Sequence, residues 1–412
     1  MLEAKPSDGA PPRLTAPVLV SVLCLAEILG MTGFSAFAAL LPGFRAEWGL
    51  SNAEAGWIEG MFQAGYLVAV PVLVSLADRV DPRRIYLLSM LAGVGATLGF
   101  ALFADGLWSA SLFRALGGIS LAGTFMPGLK ILSDRMSGAA QSRAVAFYTA
   151  CFSVGSSLSI LLAGLIADGF GWRWAFATAA ACALAAFTLV LLAVPSAPYA
   201  PAPRSRARLL DFRPVLRNRP SLAYSLAYAA HMWELYGFRA WLVAFLTLGL
   251  SSSSVSGAML EGPAVTTLAA AILLLGLPAS ILGNEAALRY GRRRVVAVVM
   301  AVSAGLALAV GLSTALPFAV AAALCALYSM TVSADSASLT AGAVGDAARG
   351  HVGATMAMHS LIGFAAATVS PLAFGAMLDL GEGSAHSWFG AFALLGAGVA
   401  TGPLLLWRLR SR

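Results

Sequence analysis

The sequence predicts an all-α membrane protein of twelve transmembrane helices, arranged as two pseudo-symmetric six-helix bundles. Three observations carry that expectation. Apolar windows of bilayer-spanning length recur along the chain, basic residues fall almost wholly in alternate loops, and the second half repeats polar landmarks of the first in the same order.

Hydrophobic residues make up 59% of the 412 and charged residues 11%, whereas a soluble domain carries roughly a quarter charged residues to cover its surface. A chain solvated by lipid needs no such cover. Windows of about 20 apolar residues, enough to cross about 30 Å of hydrocarbon, place the spans at about 17–42, 55–77, 85–104, 107–132, 144–168, 172–194, 221–248, 259–285, 295–313, 316–342, 353–378 and 388–407. The first is too long for a cleavable signal and carries Glu27, so it is expected to stay as span 1.

The net charge of +7 does not point to nucleic acid, because its distribution follows the spans. One set of alternate loops and the two tails hold Lys5, Arg13, Arg79, Arg83, Arg84, Arg135, Arg143, six arginines from Arg204 to Arg219, Arg289, Arg292 to Arg294, Arg349, Arg408, Arg410 and Arg412. The other set holds only Arg45 and Arg173, and Arg114, Lys130 and Arg239 lie within spans. This is the positive-inside distribution, and it predicts a multi-pass protein of the inner (plasma) membrane with both termini cytoplasmic. The four cysteines, Cys24, Cys151, Cys182 and Cys325, all lie in apolar segments without metal-pair spacing.

Residues 195–220, with six prolines and six arginines, read as a cytoplasmic linker rather than a span. The expected organisation is a tail at 1–16, a six-helix bundle at 17–194, the linker at 195–220, a second bundle at 221–407 and a tail at 408–412. The repeat runs across that linker. Glu27-Ile-Leu-Gly30 aligns with Glu234-Leu-Tyr-Gly237, and Glu59-Gly60 with Glu261-Gly262. Asp78-Arg79…Arg83-Arg84 aligns with Arg289…Arg292-Arg293, and Leu161…Gly164…Asp168 with Leu372…Gly375…Asp379.

The loop Ser75-Leu-Ala-Asp78-Arg79-Val-Asp81-Pro-Arg83-Arg84 resembles the G-x-L-A-D-R-x-G-R-R signature of the major facilitator superfamily, with Ser75 and Asp81 in place of its glycines. Arg114-Ala-Leu-Gly-Gly118…Ala122 is similar to that family's R-x-x-x-G-x-x-x-A pattern, and Gly171-Trp-Arg-Trp-Ala-Phe176 to the stretch that enters its sixth helix. The resemblance covers essentially the whole chain. It implies a transporter whose helices 3, 6, 9 and 12 lie outside while the others line a central cavity. It also implies that Asp78, Arg79, Arg83, Arg84, Arg289 and Arg292 form conformational loops that latch the halves in one state.

Ionisable residues inside spans usually face a bundle interior or a water-filled cavity. Here Glu27, Glu59, Arg114, Glu234, Arg239, Asp335, His231 and His359 lie on spans 1, 2, 4, 7, 10 and 11, and the interiors of spans 3, 6, 9 and 12 have none. In span 7, Tyr228, His231 and Glu234 share a helix face, as do Glu59, Gln63 and Tyr66 in span 2. Carboxylates stripped of water favour the protonated form, so Glu27 and Glu234 are candidates for proton coupling. Permanent neutralisation by Arg114 or Arg239 is the alternative. Asp335 follows a Ser/Thr-rich run, and His359 aligns with Tyr148 across the repeat. Arg114 and Arg239 suit a carboxylate or other oxyanion through a bidentate fork.

The function expected is secondary active transport of a small solute, in particular a small anion, by alternating access with proton coupling. The partners expected are the solute, protons and the lipid bilayer, with the chain a monomer and no nucleic acid bound. No cofactor and no metal are expected. The alternative is a proton-coupled drug or metabolite efflux pump, although span 5 reads Phe152-Ser-Val-Gly-Ser-Ser157 and lacks the G-P-x-x-G motif of many such antiporters. A metal importer, a membrane-embedded enzyme and a sensor are weaker readings. No M-x-x-x-M pair, no H-E-x-x-H or G-x-S-x-G motif, no nucleotide-binding loop and no soluble output domain occur.

Overall fold

The computed structural model describes residues 15–77, 79–196, 212–251, 263–348 and 351–409. Asp78, the Glu261-Gly262 half of the repeat, most of the linker and Arg349 lie outside the described residues. Twelve membrane spans follow in order. Spans 1 to 6 are Ala16–Trp48, Asn52–Ala77, Pro82–Phe103, Leu107–Arg135, Gly138–Phe170 and Trp172–Ala193. A short helix, Arg213–Arg217, precedes spans 7 to 12, which are Arg219–Ser251, Pro263–Tyr290, Arg292–Leu312, Phe318–Gly345, Val352–Asp379 and Ala385–Arg408. Ten of these are long and apolar enough to cross a membrane by length and composition alone. Spans 2 and 7, with their charges and side-chain hydroxyls, complete the bundle.

Three spans are discontinuous, where the hydropathy profile suggests unbroken helices. Span 1 passes through a 3₁₀ turn at Met31–Gly33 before resuming at Ala36. Span 8 breaks at Leu275 and span 10 at Asp335. The breaks in spans 8 and 10 lie side by side, since a Cβ on Gly276 would meet the Ser333 hydroxyl. Irregular backbone at membrane depth is tolerated where it is buried in protein or lines a cavity.

The two halves meet mainly along spans 2 and 11, with lesser contacts between spans 5 and 8 and between spans 1 and 7. Glycine makes the first contact possible. A Cβ on Gly56 would strike the Pro371 carbonyl oxygen, one on Gly60 that of Thr368, and one on Gly375 that of Asn52. Two helix backbones therefore run in direct contact, as small residues permit in membrane bundles. The end of this seam is sealed by Asp379 at the last residue of span 11. Its Oδ1 accepts from the Asn52 amide (2.9 Å) and the Asn52 Nδ2 (2.7 Å), and its Oδ2 accepts from the Ala53 amide (2.8 Å). A carboxylate at a helix N-terminus satisfies amides left without intrahelical partners and complements the helix dipole.

The apolar core is correspondingly uneven. Around the sealed end, one cluster combines Phe37, Phe44, Phe100 and Phe176 of the first half with Trp241, Phe245, Phe374 and Phe392 of the second. At the end carrying the termini, the core divides. One cluster there belongs wholly to the first half (Leu23, Tyr86, Leu132, Tyr148, Val190) and another to the second (Tyr224, Met300, Leu339, Leu406). The halves thus part toward the face on which the described basic residues Arg79, Arg83, Arg84, Arg135, Arg143, Arg213, Arg217, Arg289, Arg292 to Arg294 and Arg408 lie.

Gly60→Val forces a branched side chain into the Thr368 carbonyl. Overpacking of this kind costs about 1–3 kcal/mol. A fall in the thermal unfolding midpoint of the detergent-solubilised protein is the expected result, and an unchanged midpoint would refute a seam this tight.

Candidate functional site: the polar and aromatic lining between the halves

The buried charges of the first half find their partners within it. Arg114 on span 4 places Nη2 2.7 Å from Glu59 Oε2 and donates from Nη1 to the Phe34 carbonyl at 2.8 Å. The break in span 1 frees that carbonyl. The guanidinium also stacks over the Phe62 ring, 4.6 Å from its centroid, an arrangement that strengthens once water is excluded. Arg114 is 3% exposed. Its Nη1 and Nη2 are thus engaged by the span 1 break and by Glu59, while Nε has no hydrogen-bond partner. Glu27 is buried beside Tyr148 of span 5, which donates to Oε2 at 2.8 Å, while Oε1 has no hydrogen-bond partner. A tyrosine hydroxyl, not Arg114, holds Glu27.

The second half differs. Glu234 accepts from Ser303 of span 9 at 2.8 Å and is not paired with Arg239. His231, one turn earlier, points to span 10, with Nδ1 2.8 Å from Asp335 Oδ1. The approach is off-axis for a hydrogen bond. Tyr228 stacks on His359 of span 11 (centroids 3.9 Å apart) and lies 5.8 Å from the His231 ring. His359 Nε2 stands 3.4 Å from the Thr340 hydroxyl. The stripe Tyr228, His231, Glu234 predicted on span 7 thus fans out to three neighbouring spans. The repeat match of His359 with Tyr148 does not carry over to bonding, because Tyr148 meets a carboxylate and His359 meets an aromatic ring.

Arg239 is the exception among the intramembrane charges. It is half-buried, its Nε and Nη1 lack hydrogen-bond partners, and no carboxylate lies within ion-pair distance of it among the described residues. Its guanidinium instead reaches across to the first half, 6.0 Å from the Phe152 ring centroid. Between the halves, Met31, Phe34, Phe62, Met232, Tyr236 and Ala367 form one apolar cluster, with Phe152 and Phe364 packed against it. Gln63 is buried next to this cluster on span 2, and neither atom of its amide is hydrogen-bonded. Buried amides are rarely left so.

The loop residues keep to their own halves. Arg83 donates to the Leu191 carbonyl at 2.7 Å, Arg79 and Arg84 are exposed, Arg289 stacks over its neighbour Tyr290, and Arg292 approaches Gly345. Sequence reasoning missed Tyr148, Ser303 and Phe152 as partners of the charged residues, because each is a common residue of an apolar helix. It also missed the role of Asp379, although the repeat had marked that position. Among the described residues, no group of three or more His, Cys, Asp or Glu is placed to hold a metal ion.

Two six-helix halves closed at one end, parted at the other and lined with polar groups from spans of both define a secondary-transporter fold. The family model described as Major Facilitator Superfamily matches residues 23–282, and the chain belongs to that family. It is a transporter rather than an enzyme. Curated relatives include Protein spinster homolog 3 of Danio rerio, 22% identical over 238 residues (56% of this chain, 48% of the relative). A probable sphingolipid transporter, spinster homolog 1 of Arabidopsis thaliana, is 24% identical over 40% of this chain and 38% of its own. Multidrug efflux pump LfrA of Mycolicibacterium smegmatis is 28% identical over 42% and 34%. The chain spans less than half the length of these relatives. Among solved structures, a bacterial homologue of the human lysosomal transporter Spinster, inward-facing and unoccupied, superposes with a TM-score of 0.73 at 16% identity, covering 97% of this chain and 96% of that one. The nucleoside transporter NupG gives 0.75 at 12% (96% and 100%), and the human organic anion transporter MFSD10 gives 0.70 at 17% (96% and 100%).

Breaking the Glu59–Arg114 pair from one side leaves a buried charge alone, which costs about 3–5 kcal/mol. Glu59→Ala is expected to destabilise by that order. The double variant Glu59→Ala/Arg114→Leu should be less destabilised than the sum of the singles when unfolding is followed by thermal scans. Additive effects would show that the two groups are not coupled.

Proposed function

We propose that the chain is a proton-coupled secondary transporter of an organic anion with an apolar body, working by alternating access, and that this structure is its inward-facing state. Arg239 carries the reading. A guanidinium held in a membrane interior without a counter-charge is costly, and functional sites are where such residues persist. A carboxylate, phosphate or sulfonate would supply the missing charge through the planar fork. The surrounding wall of Phe34, Phe62, Phe152, Tyr236, Phe364, Met31 and Met232 favours a solute with an aromatic or alkyl body over a bare inorganic anion. The relatives named for sphingolipid and organic-anion transport are consistent with such a solute.

The orientation rests on the basic face. With that face in the cytoplasm of a plasma (inner) membrane, the positive-inside rule is met, both termini are cytoplasmic and the parted end opens inward. On this reading the two bundles, 17–194 and 221–407, rock about the midplane site, with 195–220 as the tether and the basic loops engaging when that face closes. The chain acts as a monomer. The apolar wall also admits a second reading, efflux of lipophilic cations.

The test uses proteoliposomes with an internal pH dye, challenged in turn with inorganic phosphate, naphthalene sulfonate, a phosphorylated long-chain base and ethidium. A pH change driven by naphthalene sulfonate or the phosphorylated base is expected. Arg239→Gln should weaken half-saturation about 10- to 100-fold, the equivalent of ~1.5–3 kcal/mol for charged hydrogen bonds, and Arg239→Lys should fall between. A response to ethidium alone, untouched by Arg239→Gln, would overturn the anion reading.

A further inference from the structure

Resting on the proton-coupled reading above, we propose that the proton-exchange site is the His231–Asp335 pair at the break of span 10. The two halves differ in how they hold their buried acids. Glu27 and Glu234 occupy matching places in the repeat, and each accepts a hydroxyl bond at 2.8 Å, from Tyr148 and from Ser303. A feature held equally by both halves has no direction built into it. The His231–Asp335 pair exists on one side only. Cys24 stands at the place of His231 in span 1, and span 4 has no carboxylate between Arg114 and Asp134.

The setting of the pair fits proton exchange. Both residues are buried, at 1% and 3% exposure, yet their 2.8 Å contact is off-axis for a hydrogen bond, and His231 Nε2 has no hydrogen-bond partner. Neither group is therefore locked by a bonding network, unlike Arg114 and Glu59. The titratable groups facing the pair are Glu234 and Tyr228 on span 7, Tyr328 on span 10, His359 on span 11 and, beside Tyr228, Tyr66 of the opposite half. No arginine or lysine lies among them to hold Asp335 ionised permanently. Span 9 contributes Ser303 to Glu234, and span 8 meets the break with bare glycine backbone, Gly276 against Ser333 and Gly283 against the Ala334 carbonyl.

The pair also has a mechanical consequence. Asp335 joins Phe318–Ala334 to Ser336–Gly345, and its charge ties that joint to span 7. A proton taken up on the Asp335 carboxylate removes the attraction, and its release restores it. The segment Ser336–Gly345 lies in the half of span 10 nearest the parted face, so uncoupling it from span 7 loosens an element that moves when that face closes. Arg239 lies eight residues along the same span 7, about 12 Å by helical rise. Anion and proton therefore act on one rigid helix, and loading both keeps the net charge of the site unchanged.

The first experiment needs no solute. pH-difference infrared spectra of the wild-type protein in liposomes should contain a titrating carboxylic-acid carbonyl band that Asp335→Asn removes and Glu27→Gln leaves in place. His231→Gln should keep the band and move its titration. A band unchanged in Asp335→Asn, or lost in Glu27→Gln, overturns the assignment. The second experiment follows naphthalene sulfonate in dye-loaded proteoliposomes. Asp335→Asn should lose at least about 10-fold of the sulfonate-driven proton movement while keeping sulfonate counterflow, and the exchanged pair His231→Asp/Asp335→His should recover part of it. If Asp335→Asn kept the wild-type proton-to-sulfonate ratio, the site would lie elsewhere. Absence of sulfonate-driven proton movement from the wild type, with the infrared band behaving as expected, would fault the transport reading and leave the proton site standing.

Discussion

The contact between spans 2 and 11 sets the shape of this molecule. Two helices approach backbone to backbone only because Gly56, Gly60 and Gly375 present no side chain, and the Asp379 carboxylate then completes the first turn of span 2 from the other half of the chain. With one end so closed, aromatic residues of both halves merge into a single core there. At the other end each half keeps its own core, so a wedge of polar and aromatic side chains is left between them. Arg239, Gln63 and the His231–Asp335 pair reach the middle of the molecule through that geometry.

The buried charges sort by how completely they are compensated. Glu59 and Arg114 form a closed unit with the Phe34 carbonyl, and its worth lies in holding spans 1, 2 and 4 together around the span 1 break. An arrangement of this kind gains little over an apolar replacement, but it is costly to break from one side. Glu27 and Glu234 each receive a neutral donor. Arg239 has Nε and Nη1 without hydrogen-bond partners and lies over the Phe152 ring. Arg114 has a carboxylate and a carbonyl as partners, and no carboxylate lies within ion-pair distance of Arg239 among the described residues; on the proposed reading a solute supplies that missing charge.

Much of the fold was legible in the sequence because hydropathy, charge placement and the repeat are one-dimensional signals. Twelve spans, their order and the basic face all follow from them. The site was legible by residue and not by pairing. Glu27, Glu59, Arg114, His231, Glu234, Arg239, Asp335 and His359 could be picked out as charges in apolar surroundings, but whether Arg114 meets Glu59 or a solute depends on the rotation of spans 2 and 4 about their axes. Periodicity in a helix apolar on all sides does not fix that rotation. The break in span 10 was hidden for a related reason. Span 8 carries a local cause in Gly276 and Pro278, whose ring clashes with the Leu274 carbonyl, but Asp335 carries none, and its irregular backbone packs against the neighbouring broken helix.

Opening the sealed end would have to separate the Asp379 carboxylate from three donors. Each charged hydrogen bond contributes about 1.5–3 kcal/mol, and water entering as the seam parts recovers part of that. The remainder biases the empty molecule toward the state described, and a solute reverses the bias only by binding the other state more tightly. Arg239 lies on span 7, whose Trp241 donates to the Pro371 carbonyl at 3.0 Å, and Pro371 is the residue of span 11 that abuts Gly56. An anion that draws Arg239 toward the first half therefore pulls on the helix that buttresses the seam. Charge neutralisation at the centre and closure at the edge are joined by Arg239 and Trp241, two positions apart on one helix.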